Sequence, residues 1–223
     1  MKWDHESLTL IVALHELLGH GTGKLFTRNT ETGEKNFADD VKHPITGELV
    51  TTYYTEKETW GSKFGSLHSG YEECRADTVA LYLMQFDKPY EIFVPHLKDN
   101  PTARDEIYFV GWLDILMGGI KGLQFYDVEN KKWMQAHVLA SYVILRVVMM
   151  YNEKTIQFEE TKDANGDDYF VMRIDKQLLK TEGFSAIKEF LRKLHILKVI
   201  ISNDISQLVI LKKARNSSIS ILK

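Results

Sequence analysis

His15-Glu16-Leu17-Leu18-Gly19-His20 is the stretch on which the reading of this chain turns. Catalytic zinc sites use a few nitrogen and oxygen ligands at about 2.0–2.2 Å and leave one position open for water. The common helical arrangement places two histidines at i and i+4, on one face. Here the separation is five, His15 to His20. On a regular helix, a five-residue step turns by about 140°, against about 40° for four residues. A shared ion therefore requires a locally over-wide turn, and Gly19 lowers the steric cost of one. The competing reading is two partly buried helix histidines satisfied by backbone carbonyls.

A second group lies downstream, in Tyr71-Glu72-Glu73-Cys74-Arg75-Ala76-Asp77. Glu73 and Asp77 stand at i and i+4, so on a helix they share a face. Such a face can supply one metal-binding carboxylate and one acid that accepts a proton from a ligand imidazole. The plainer alternative makes Glu72, Glu73, Arg75 and Asp77 a solvated charged face. Cys74, one residue past Glu73, points elsewhere and is expected to pack as a small apolar group.

The rest of the chain frames these motifs. Its 223 residues, 44% hydrophobic and 26% charged, suit one sizeable soluble domain. A net charge of −3 gives no reason to expect nucleic acid or an anionic membrane. The single cysteine excludes an internal disulfide and fits a reducing compartment. The polar start Met1-Lys2-Trp3-Asp4-His5-Glu6 is unlike a signal peptide, and the apolar run Leu8–Leu14 is too short to span a bilayer. A cytoplasmic protein is expected.

Periodicity predicts a mainly α architecture with a small β component. Helices are expected over about 8–24, 69–85, 105–125, 132–152 and 183–197. Turns and short extended pieces should fill 26–54, and a β-hairpin is expected over 155–174 around Asn165-Gly166.

Taken together, the two motifs resemble the dipeptidyl peptidase III family, whose zinc signatures are HExxGH and a downstream EECxA[ED]. Glu58-Thr59-Trp60, Ser62-Lys63-Phe64, Gln135-Ala136-His137 and Val143-Ile144-Leu145-Arg146-Val147 are also similar to the family, so the resemblance runs from about Leu14 to about Lys198. It implies a helical zinc-binding lobe of a two-lobed metallopeptidase, residues 1–198, with the family's N-terminal lobe absent and a divergent tail over 199–223. It further implies one zinc ion held by His15, His20 and Glu73, with Glu16 as general base. Glu72 and Asp77 would orient the ligand histidines, and His137 would stabilise the transition state. The implied activity is release of dipeptides from the N-termini of short peptides. Ser141 departs from the arginine expected four residues after His137.

Two other readings stay open. Glu31-Thr32-Gly33-Glu34 is similar to acidic turns that dock on kelch propellers, where two carboxylates meet an arginine-lined pocket; an ordinary loop turn is the plainer account. A catalytically dead zinc-binding fold is the other, against which Glu16 stands, since a structural site needs no base beside its ligand.

Overall fold

The computed structural model describes residues 2–200. The expected tail therefore lies, from residue 201 onward, outside the described residues.

Helix α1 (Asp4–Leu14) leads directly into a π-type turn over His15–His20. A loop region follows, holding β1 (Thr27–Arg28) and β2 (Tyr54–Thr55), which pair in parallel. Next come α2 (Trp60–Phe64), α3 (His68–Leu83), α4 (Asp87–Phe93) and α5 (Pro101–Lys121). Short strands β3 (Tyr126–Asp127) and β4 (Lys132–Trp133) precede α6 (Ala136–Tyr151). The hairpin β5 (Ile156–Lys162) and β6 (Asp168–Ile174), the single turn α7 (Lys176–Leu178) and α8 (Phe184–Val199) complete the described chain.

Local chemistry fixes the helix starts. Asn100 caps α5 by accepting from the Ala103 amide, with Pro101 in the first position, where its missing N–H costs nothing. Gln135 caps α6 by accepting from the Val138 amide. This cap corrects the expected helix over 132–152. Lys132 and Trp133 pair with β3 instead, because Trp133 is buried against the rings of Tyr126 and Tyr142.

The centre of the fold is α6. Tyr142, Val143, Ile144 and Leu145 are fully buried, and the helix packs against α3, α5 and α8. Burying each such aliphatic side chain contributes about 1.5–3 kcal/mol. α1 lies on α3 and α5, so the π turn at its end is pressed against α3. At the position where the arginine was expected, Ser141 is buried between helices: a Cβ at Gly119 of α5 would stand 2.8 Å from its carbonyl oxygen.

The loop region over 26–54 runs across the surface as expected, but it is anchored. Phe26, Phe37 and Val41 pack on Val50, Ile196 and Ile200, while the Phe26 amide donates to the Val199 carbonyl. Two turns project from it with the same bonds. Asn29 N donates to Glu34 O and Gly33 N to Asn29 O; His43 N donates to Glu48 O and Gly47 N to His43 O. The two turns share Thr-Gly-Glu, at Thr32–Glu34 and Thr46–Glu48.

Candidate metal centre

The π turn converts the awkward five-residue spacing into convergence. His15 and His20 meet with their Nε2 atoms 3.1 Å apart. Gly19 serves this turn in a way that spacing alone does not suggest. Its missing side chain admits α3, since a Cβ there would stand 2.7 Å from that of Ala76. Close packing, more than backbone freedom, requires glycine at this position.

α3 carries the acids to the histidines. The Oε2 atom of Glu73 lies 3.2 Å from His15 Nε2 and 3.5 Å from His20 Nε2. Four donors set tetrahedrally around zinc at about 2.05 Å would be about 3.3 Å apart. The three measured separations bracket that value.

The outer partners fix which nitrogen faces inward. Asp77 Oδ1 accepts from His15 Nδ1 at 2.7 Å, and Glu72 Oε1 accepts from His20 Nδ1 at 3.2 Å. With both Nδ1 atoms donating, both Nε2 atoms turn lone pairs toward one another and toward the Glu73 carboxylate. Glu73 Oε2 is buried and makes no hydrogen bond. The arrangement is short of positive charge at its centre, and a cation there satisfies all three atoms. Protonation can supply the charge instead. Although burial opposes ionisation of His15, the adjacent Asp77 and Glu73 carboxylates push its pKa up to about 10. Burial pushes the Asp77 carboxyl up, with the His15 imidazole pulling the other way.

His137, near the start of α6, brings Nδ1 to 3.1 Å from the same Glu73 oxygen. His15, Glu73 and His137 thus form a second possible donor set. The set with His20 is tighter, because the His15 and His20 ring centres are 4.7 Å apart against 5.9 Å for His15 and His137. His137 is also 57% exposed, which suits a group meeting an incoming molecule better than a buried ligand. Glu16 sits on the π turn between the two histidines, exposed to solvent.

Around Glu72, the structure overturns the plainer reading of a solvated charged face. Arg75 is completely buried. Its guanidinium donates to both Glu72 oxygens, at 2.5 and 3.1 Å, to the Gly19 carbonyl at 2.5 Å and to the Thr22 hydroxyl at 3.2 Å. Lys198, from the end of α8, donates to Glu72 Oε1 at 2.8 Å. Burial alone would raise the Glu72 pKa, but Arg75 and Lys198 outweigh it and hold the carboxyl down at about 2. Neither cation was singled out from the sequence. The i, i+3 spacing of Glu72 and Arg75 was the available signal for one, and nothing local pointed to Lys198. Cys74 packs fully buried, with burial pushing its thiol up.

The acidic turn is well formed. Asn29 Oδ1 accepts from the Glu31 and Thr32 amides, Gly33 adopts φ +75°, and Glu31 and Glu34 are exposed. In the matching turn His43 Nδ1 takes the place of Asn29 Oδ1 and Ile45 that of Glu31. Among the described residues, no helix is long and apolar enough to cross a membrane.

Comparison with known proteins places this geometry. The chain is 42% identical over 193 residues to dipeptidyl peptidase 3 of Nematostella vectensis, which covers 86% of this chain and 26% of that protein. It is 41% identical over 197 residues to dipeptidyl peptidase 3 of Homo sapiens, covering 88% of this chain and again 26% of the relative. It therefore spans about a quarter of the length of the curated relatives it matches. A solved structure of DPP III from Caldithrix abyssi aligns with a TM-score of 0.42 and 15% identity, over 96% of this chain and 32% of that one. The model of peptidase family M49 matches residues 1–207, a span that takes in every side chain of the centre from His15 to Lys198, and on that match the chain belongs to this family of metallopeptidases.

Proposed function

We propose that the chain is the zinc-binding part of a dipeptidyl peptidase, with His15, His20 and Glu73 as metal ligands and Glu16 as general base. The observation that carries this reading is the buried Glu73 Oε2, without a hydrogen bond, beside two inward-facing imidazole nitrogens. When bound, zinc supplies Lewis acidity, polarising a peptide carbonyl and acidifying water.

The residues of the chain do the rest. Asp77 and Glu72 hold the two ligand imidazoles in the tautomer that presents Nε2. Glu16, exposed and next to a ligand in sequence, takes a proton from the attacking water and delivers it to the departing amine. His137 donates to the oxygen of the scissile carbonyl as negative charge develops there. The substrate class, the N-terminal dipeptide of a short peptide, follows from the relatives named dipeptidyl peptidase 3. Peptide positioning supplies much of the rate in such reactions, and the chain spans about a quarter of the relatives' length. Turnover by these 223 residues alone is therefore expected to be slow. A reducing, cytoplasmic setting suits the one buried thiol.

The test pairs zinc analysis with hydrolysis of an arginyl-arginyl chromogenic amide. Glu16→Gln should keep zinc and abolish turnover. Zinc retained with turnover that ignores Glu16 would favour the dead-fold reading, and no zinc in folded protein would remove both.

A second reading concerns Glu31-Thr32-Gly33-Glu34, whose two exposed carboxylates on a tight turn suit a kelch-domain partner. The turn at His43–Glu48 is its internal control, having the same backbone bonds with Ile45 in place of the first acid. Retention on an immobilised kelch domain should fall with Glu31→Ala and not with Ile45→Ala; no retention at micromolar concentration removes this reading.

A further inference from the structure

We propose that Arg75, assisted by Lys198, is the positioning residue that keeps His20 in the metal centre. The inference rests on the zinc-binding reading above and extends it to side chains that touch neither metal nor substrate.

The two histidines are supported unequally. His15 emerges directly from α1 and needs only Asp77, 2.7 Å from its Nδ1, to set its ring. His20 closes the π turn, followed by a loop, and its side chain is 31% exposed. Its ring is oriented by Glu72, itself a flexible side chain with no fixed direction of its own. Arg75 fixes the direction. One fork of the guanidinium grips both Glu72 oxygens, while Nη2 also holds the carbonyl of Gly19, the residue immediately before His20. The same buried cation thus controls the ring of His20 through Glu72 and its backbone through Gly19. Nη1 extends the grip to Thr22 Oγ1, whose hydroxyl donates to the Leu18 carbonyl of the wide turn. An arginine is suited to this geometry because its planar fork makes several bonds in fixed directions, which a lysine cannot reproduce.

Lys198 brings a distant element into the same circuit. It stands 126 positions from Glu72 and donates to Oε1, the oxygen that also accepts from His20. The last turn of α8 is further tied to the site's surroundings by the Tyr54 hydroxyl, which donates to the Lys198 carbonyl. Seating of α8 is therefore coupled to the orientation of one metal ligand. Outer partners of this kind typically change metal affinity 10–100-fold when removed.

The experiment measures zinc affinity of the full chain by competition with a chromophoric chelator, and records imidazole NMR signals of the zinc-loaded protein. Arg75→Gln should weaken zinc 10–100-fold and move the His20 signals while leaving those of His15 near their wild-type positions. Arg75→Lys should fall between the two, since it restores charge without the fork. Lys198→Met, in the last turn of α8, should weaken zinc about 10-fold and carries the test should Arg75→Gln fail to fold. Lys193→Met, which removes an exposed charge of the same helix and leaves its packing untouched, is the control and should retain wild-type affinity. Wild-type affinity in Arg75→Gln and Lys198→Met overturns the inference. So does an equal loss in Lys193→Met, or equal movement of the two histidines. A wild-type chain that binds no zinc defeats the metal reading first, and this inference with it.

Discussion

The acids of the metal centre stand on α3 and those of the loop region over 26–54 on tight turns, and the two sets are held very differently. At the centre, Glu72 is met by Arg75, Lys198 and His20, partners from three separate elements, and is mostly enclosed. On the loops, Glu31 and Glu34 face solvent on a turn held by bonds within six residues and by Glu56, which accepts from the Thr30 amide and hydroxyl. Burial multiplies the worth of a charge and the cost of mispairing it, whereas an exposed charge is screened by water and salt. A side chain at the centre should therefore be irreplaceable for metal binding, and one on the loops should matter only to its own turn.

The largest expected break in that contrast comes from a ligand. Structural zinc sites bind with about 10–16 kcal/mol spread over four positions, or about 3 kcal/mol each. His15→Ala or Glu73→Gln should thus weaken zinc by about 10²-fold in a competition titration, while Glu31→Gln leaves affinity unchanged. A loss with Glu31→Gln would erase the distinction between the regions.

Next in size is Gly19→Val. The added side chain meets Ala76 where no Cβ fits, and overpacking of this kind costs about 1–3 kcal/mol. Urea unfolding should show that loss, with zinc binding weakened in parallel because α3 and the π turn are pushed apart. Gly33→Ala on the loop also destabilises, by about 1 kcal/mol, since φ +75° disfavours a side chain. Here zinc affinity should not change, which separates a local cost from one transmitted to the centre.

The smallest effect comes from a charge between these extremes. Asp105 is partly buried; burial raises its carboxyl, but Lys180 and Lys176 outweigh it and hold its pKa below the ordinary 3.8. A lowered folded pKa stabilises the fold above the unfolded value, and the contribution disappears as pH falls through the folded one. Asp105→Asn should therefore lower the urea midpoint slightly at neutral pH, with the difference vanishing in acid below pH 3.8. A difference that grows on acidification would show the sign to be wrong.

How much of this was legible in advance follows the same division. Helix periodicity located α1, α3, α5, α6 and α8 because their burial is patterned along the sequence. The start of α6 was misplaced because Trp133 belongs to a ring cluster with Tyr126 and Tyr142, a contact that no local spacing announces. At the site, the five-residue histidine spacing called for a wide turn, and the chain has one. The role of Gly19 in admitting Ala76, and the burial of Arg75, depend on how closely α3 approaches. Lys198 was invisible, since its partner is far away in sequence. Residues that act by spacing within one element could be found, and those that act by docking between elements could not.

The most direct test of the account is the zinc content of purified, folded protein after exhaustive dialysis, measured beside a Glu73→Gln variant. One zinc per wild-type chain and none in the variant is the result predicted from the convergence of His15, His20 and Glu73. A folded wild-type chain without zinc, or a variant that keeps its full complement, would contradict it.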